Sequence, residues 1–471
     1  MTQVSIDPSF GDDGFVAPAA NAFDGLSTNT VGLVRADGGK LVAASGVLMA
    51  SDEHFYLAAY DAEGRPDTGF GEDGVVVSKI SASGSALALQ PVPRLILVHE
   101  AKVEDMILIG GQVPAQGAGN VFAVQRYTLT GRLDTTFGTD GTALIAAAGL
   151  LGPADSEDEL VQALAVQPGK GILAAGYAVK PNGSRGALVR LTFDGRLDIS
   201  FGDRQFSYPY GPGRLLYPAI DAPGDLWGQV PDTDFTSIVI QPNGRILVGG
   251  TYGGQFLVAR LTPDGAFDPS FGMNGLVLLT LGFGWAGFPT LLLQPDGRIV
   301  LTATVGSPTG SGGADDVTAI GLARLLPNGA LDTTFGQLIP QSFRPLPPGL
   351  PPGSAVHRLG WTIQNVPGTG FEGINDAVLQ PGGRLRIIGV GGTQISSDFQ
   401  GEFLVSGYLD DGDIDTQFSG PAGAIETPFP NGTGFASSCV YDADANTLTV
   451  AGGVFSGGKS GIGLQRYLLS G

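Results

Sequence analysis

The chain has 471 residues; 76 Gly and 32 Pro beside only 15% charged residues exclude long charged surface helices, and 42% hydrophobic residues exclude intrinsic disorder. Twenty-five basic against 45 acidic residues give a formal charge of −20, which repels phosphate backbones and anionic membranes. A single cysteine, Cys439, permits no internal disulfide and reads as a small core residue.

The N-terminal stretch MTQVSIDPSFGDDG carries no Lys or Arg and no apolar run of signal-peptide length, so the chain reads as cytoplasmic or exported by a non-cleaved route. Within it lies a pattern of hydrophobic residue, Asp, any residue, Ser or Thr, Phe, Gly. The pattern returns as RPDTGFG, LDTTFG, LDISFG, FDPSFG, LDTTFG and IDTQFS, which sets Phe10, Phe70, Phe137, Phe201, Phe271, Phe335 and Phe418 60 to 83 residues apart. Two more signatures recur between these marks: a turn leading into a strand, as in QPNGRILVGG at 241–250, and a strand ending in a turn, as in FLVARLTPDG at 256–265.

Each unit reads as four short strands, for example GLVLLT, PTLLLQ, RIVLTATV and IGLARLL, with PDG and PNG expected as two-residue hairpin loops. Residues 155–170 look helical in isolation but align with the strand at 232–245, and the repeat decides for strand. The uncharged run 276–293 has the length of a membrane span, yet Gly282, Gly284, Gly287 and Pro289 break its centre and the repeat places strands there. The expectation is one all-β domain over 1–471. It is a seven-bladed β-propeller of four-stranded antiparallel blades, about 67 residues each, closed by the N-terminal segment completing the last blade. Large insertions fall near 203–235 and 337–373.

On QPNGRILVGG, FLVARLTPDG and FDPSFG the chain resembles the bacterial delta-60 repeat family over essentially its whole length. The resemblance implies a propeller architecture and a bacterial origin, and no activity. Departures are Ser419 in place of Gly, and Ala59 and Gly407 where the third strand otherwise carries Arg126, Arg190, Arg260, Arg324 or Arg466. Copies one and six are therefore expected to pack differently.

The repeated Asp7, Asp67, Asp134, Asp198, Asp268, Asp332 and Asp415 read as Asx turns that fix the loop around each Phe. Asp67 and Asp415 persist where the Arg is missing, so pairing with Arg cannot be their whole purpose. Asp7 with Ser9, Asp12 and Asp13, and Asp67 with Glu72 and Asp73, are weak calcium candidates, since hard oxygens gather in one loop without a full ligand pattern. No other cofactor is expected. His54, His99 and His357 occupy unrelated positions without metal-ligand spacing, and no GxSxG, HExxH, P-loop or CxxC occurs.

The two insertions concentrate aromatic and cationic side chains: Tyr208, Tyr210, Arg214, Tyr217 and Trp227 in the first, Arg344, His357, Arg358 and Trp361 in the second, after a stiff PLPPGLPPG spacer. Aromatic faces edged by Arg suit stacking on sugar rings or gripping a peptide. The leading reading is a non-enzymatic binding protein that presents one loop-rich face to a glycan or protein ligand. The alternative is a polysaccharide-acting hydrolase or lyase using carboxylates such as Asp221, Asp225, Glu372 and Asp376, and a further one a purely structural assembly module. Neither nucleic acid nor membrane insertion is expected, and the sequence leaves the oligomeric state open.

Overall fold

A computed structural model describes residues 4–17, 31–49, 51–96, 100–115, 119–147, 158–180, 183–202, 213–217, 231–281, 285–287, 289–306, 318–336, 358–359, 361–364, 371–381, 386–394, 401–457 and 459–469. Six blades are each built from consecutive antiparallel strands, ordered from the inner to the outer strand. The first spans Gly32–Arg35 to Val75–Val77, the second Ser83–Ile96 to Thr142–Ile145, and the third Glu159–Gln167 to Arg214–Tyr217. The fourth spans Thr233–Ile240 to Leu276–Leu279, the fifth Trp285–Ala286 to Trp361–Gln364, and the sixth Phe371–Gln380 to Ala424–Thr427. A closing sheet combines Gly432–Asp442, Thr447–Ser456 and Lys459–Leu469 with the N-terminal strands Val4–Ile6 and Phe15–Val16, both on the free edge of Lys459–Leu469.

The expectation of seven equivalent four-stranded blades is corrected by this pairing. Six blades come from consecutive strands, while the remaining sheet is a five-stranded composite of both chain ends. The fifth blade is also five-stranded, because its inner edge is split into Trp285–Ala286 and Thr290–Leu293 around Gly287 and Pro289, and proline has no N–H for the ladder. The sequence unit and the sheet are out of phase by one strand. Leu276–Leu279 pairs back onto Gln255–Leu261 as the outer strand of the fourth blade, whereas the strands after it belong to the fifth.

Second and third strands are buried almost throughout, as in Gln255–Leu261 and Ile299–Gly306, since each sheet is covered on both faces by its neighbours. Hence their apolar runs are continuous rather than alternating. Each hydrophobic cluster joins two adjacent sheets, and one of them ties Ala451, Ile462 and Leu464 of the closing sheet to Leu41, Ala43 and Tyr56 of the first blade. Residues 159–167 form a strand, as the repeat alignment requires. Residues 276–293 supply three short strands, and among the described residues no helix is long and apolar enough to cross a membrane.

The expected two-residue hairpin loops are instead three-residue ones. Gly244 N–H donates to Gln241 O at 2.8 Å while Gln241 N–H donates to Arg245 O at 2.8 Å, so Pro242, Asn243 and Gly244 form the loop, with Gly244 at φ +81°. This is a type I turn closed by a left-handed residue, which glycine adopts without a Cβ clash.

Candidate functional site

The repeated Asp–Phe–Gly pattern builds a clamp between blades. In the third blade Asp198 Oδ1 accepts the N–H of Ser200 at 2.9 Å and its hydroxyl at 2.6 Å, the Asx turn read from the sequence. Its Oδ2 accepts Arg190 Nε at 2.7 Å, and that guanidinium lies 4.7 Å from the centre of the Phe201 ring. Arg190 also donates to Pro263 O at 2.7 Å in the fourth blade, and Gly202 N–H donates to Asp264 O at 2.8 Å in the same turn. The buried Phe201 ring rests on that turn's Gly265, where an added Cβ would lie 2.7 Å from the ring.

The arrangement repeats with Arg126, Arg260, Arg324 and Arg466, each bonded to its own aspartate and to a carbonyl of the following sheet. In copy one the missing Arg is replaced from the turn just ahead of the strand Leu41–Met49. Lys40 Nζ sits 2.5 Å from Asp67 Oδ2, donates to Leu129 O of the second blade at 2.7 Å and lies 5.9 Å from the Phe70 ring centre. Asp67 thus keeps a cation in copy one, a lysine in place of the arginine. At Gly407 of copy six, Phe418 occupies the space, 2.5 Å from where a Cβ would stand. Arg126, Arg190, Arg260 and Arg324 are buried and Arg466 is half-buried, each paired with its own aspartate.

The calcium candidates are engaged in the same way. Asp7 accepts Ser9 and Arg466, and Asp13 and Asp73 are turn residues at φ +51° and +52°. Among the described residues no group of three or more His, Cys, Asp or Glu could hold a metal ion. His54 Nδ1 lies 2.9 Å from Ser78 O; His99 and His357 lie outside the described residues.

In a four-stranded meander the first hairpin and the third-to-outer connection leave from one end of the sheet, here the clamp face, and the other connections leave from the opposite end. Each insertion contains an outer strand, Arg214–Tyr217 or Trp361–Gln364, and therefore spans two connections on opposite faces instead of one loop slot. The sequence reading missed this because RLLY and WTIQ were absorbed into the insertions. Tyr208, Tyr210, Arg344, Trp227, Asp221 and Asp225 lie outside the described residues.

The described members of the expected site are tied into the scaffold. Arg214 Nε donates to Ala146 O at 2.9 Å, and burial lowers its pKa against the opposing pull of Glu159. Tyr217 packs tilted against Tyr252 at 6.0 Å and edge-to-face against Phe267 at 5.9 Å between ring centres, and burial raises its hydroxyl pKa. Arg358 grips Asp413 through both guanidinium nitrogens at 2.5 and 2.8 Å, reaches Asp411 at 3.0 Å and donates to Gly336 O at 2.5 Å. It thereby joins the two ends of the 337–357 connection. Trp361 opens the outer strand of the fifth blade, paired with Ala323.

Around the axis the inner strands are linked by polar groups that β-bulges expose. Pairing slips between Phe235 and Ser237, Ile374 and Asp376, and Ala436 and Ser438. Thr236 Oγ1 donates to Pro289 O at 2.9 Å, Thr290 Oγ1 to Asn375 O at 3.2 Å and Asn375 Nδ2 to Ala436 O at 2.7 Å. Asp376 accepts Cys439 N–H at 2.9 Å, Ala377 N–H at 2.8 Å and Ser438 Oγ at 3.0 Å; burial outweighs these bonds and raises its pKa. Glu372 follows Phe371 at the start of the same strand. Cys439 is a buried free thiol, as expected, its pKa raised by burial and by Asp376.

The sequence reading treated the QPNG and QPDG stretches as turns alone. On the clamp face they wall two adjoining cavities of about 690 and 740 Å³ that share Gln241, Pro242, Asn243 and Leu293. One continues to Gln167 and Asp264, the other to Gln294 and Asn328. The repeated glutamine was the available signal, since turn geometry alone needs only the Pro, Asn or Asp, and Gly.

Residues 241–271 and 294–335 match a family model described as a domain of unknown function (DUF5122) beta-propeller. The chain is a β-propeller. No curated protein matches it. Among solved structures it is similar to the α-L-arabinofuranosidase Arb93A of Fusarium graminearum in complex with an iminosugar inhibitor, at 10% identity and TM-score 0.41, covering 99% of this chain and 98% of that one. It is also similar to the polysaccharide lyase Uly1, at 8% and 0.48 over 96% and 94%. Drosophila Plexin A in complex with Semaphorin 1b gives 10% and 0.42 over 95% and 86%.

Proposed function

We propose that this propeller is a non-enzymatic binding protein whose clamp face holds a glycan, and that its repeats are of the delta-60 kind. One observation carries the reading: the adjoining cavities of the fourth and fifth blades are bracketed by the anchors of both insertions. The first leaves at Gly202, bonded to Asp264 of the cavity wall; the second leaves at Gly336, bonded to Asp411, from the same connection that carries Asn328 of the opposite wall. Long loops at the rim of a preformed trough are where a rigid scaffold places its recognition groups. Tyr208, Tyr210, Arg344 and His357 are the proposed loop contacts, and Arg214, Tyr217 and Arg358 hold the loop ends.

On a glycan array the wild type is expected to bind, and Tyr208→Ala with Tyr210→Ala to weaken binding at least tenfold, as loss of aromatic stacking on a sugar would. Unchanged binding by the double variant would remove the loop from the site. Cleavage of the same ligand is the second reading, which reducing ends that accumulate with the wild type would establish over simple binding.

A further inference from the structure

The first hairpin of the fourth blade closes within residues 241–245, but in the second blade the same hairpin runs on past the body of its sheet. Pairing between Ser83–Ile96 and Glu100–Pro114 continues from Pro91 opposite Asp105 to Ile96 opposite Glu100, whereas Asn120–Thr128 covers the second of these strands only from Met106 onward. The paired residues beyond Gln90 and Met106 thus form a two-stranded arm at the clamp face. Its two edges differ. Pro91 and Pro93 have no N–H, so the ladder of the arm runs through Val92, Arg94 and Ile96 and their partners Glu104, Lys102 and Glu100. The edge on the proline side has lost its outward donors at those two positions, a device that blunts strand edges. Alternation turns the N–H and C=O of Ala101, Val103 and Asp105 to the other edge, where no strand is paired among the described residues.

An unpaired strand edge is a template for another strand, and a two-stranded ribbon is only marginally stable until one is added. There is room for it. A cavity of about 480 Å³ lies against the base of the arm where Asn120–Thr128 ends, lined by Val92, Glu104, Met106, Thr128, Arg132 and Leu133. The order of residues along the edge, Glu100, Ala101, Lys102, Val103, Glu104 and Asp105, selects the incoming strand. Set antiparallel to its own copy about Val103, the edge pairs all of residues 101–105, brings Lys102 opposite Glu104 of the second copy in both directions, and gains about six ladder hydrogen bonds. Centred on Lys102, it would oppose lysine with lysine and Glu100 with Glu104. The register about Val103 also leaves the two propeller bodies at opposite ends of the shared sheet, which suits bodies that each carry a formal charge of −20.

We propose that this arm is a dimerisation element: the open edge of residues 101–105 pairs antiparallel with the same edge of a second copy, about a two-fold axis at Val103, into one four-stranded sheet. The contact is isologous, so both open edges are covered at once.

The test is sedimentation velocity of the full chain over a wide concentration range. The wild type is expected to sediment as a dimer in reversible equilibrium with the single chain. Val103→Pro removes the outward N–H at the centre of the shared ladder and leaves the arm's own ladder intact, so the dimer dissociation constant is expected to rise about tenfold or more while the circular dichroism spectrum keeps its wild-type form. Lys102→Glu and Glu104→Lys are each expected to weaken the dimer about tenfold, because like charges then face each other. An equimolar mixture of these two variants is expected to dimerise as the wild type does, since it restores opposite charges at both positions. A wild type that sediments as a single chain at every concentration overturns the proposal, and so does a dimer whose dissociation constant none of the three variants moves more than twofold. A mixture that associates no more tightly than either charge variant alone overturns the self-pairing in this register.

Discussion

Arg190→Ala is expected to destabilise the protein by about 3–5 kcal/mol, the range for removing one partner of a buried ion pair. Arg190 is the guanidinium within reach of Asp198, at 2.7 Å, and its side chain is only 2% exposed. Truncation also takes away the Phe201 ring contact and the bonds to Gln167 and Pro263. Arg260→Ala in the next blade should cost less, since Arg245 stays 2.9 Å from Asp268. Urea midpoints of the two variants compare them directly, and equal losses would refute the idea that the second arginine reinforces the clamp.

The same pair makes stability pH-dependent. Burial pushes the Asp198 pKa up, but hydrogen bonds from Ser200 and Arg190 and the arginine charge outweigh it and leave the carboxyl below its ordinary value. A folded-state pKa below the unfolded one stabilises above about pH 4, and that contribution disappears as pH falls through the folded value. Asp134, Asp268 and Asp332 are shifted in the same direction for the same combination of causes. Acid unfolding should therefore set in below about pH 4 in the wild type, with a shallower pH dependence in Arg190→Ala.

The sheets were legible because the repeat fixes both the spacing of the strands and the glycines that turn them. It also overruled the helical appearance of residues 155–170. Asp198 and its equivalents were legible as Asx turns, since Ser or Thr two residues on offers both an N–H and a hydroxyl to the same oxygen. What spans two blades was not legible. Arg190 bonds across to Pro263, 73 positions away, and Lys40 substitutes for an arginine from the turn ahead of Leu41–Met49, which no register within one copy reveals. The insertions misled because a four-residue outer strand such as RLLY carries too little pattern to stand out from a loop.

Phe335→Ala is expected to cost about 3–5 kcal/mol, the price of deleting a buried aromatic ring and leaving a cavity. The ring is fully buried, lies 4.6 Å from the Arg324 guanidinium and rests on Gly412 of the sixth blade. Gly412→Ala should also destabilise, by about 2–4 kcal/mol, because its φ of +83° is strained for any L side chain and the new Cβ would stand 2.6 Å from the ring. The two losses should not add. With the ring gone the alanine Cβ meets no aromatic atom, so only the backbone strain remains, and the double variant should recover about 1 kcal/mol or more relative to the sum. Denaturant midpoints for the four proteins give that coupling. Strict additivity would mean that the ring and the glycine do not form the interblade contact, and that the repeated phenylalanine serves its own blade alone.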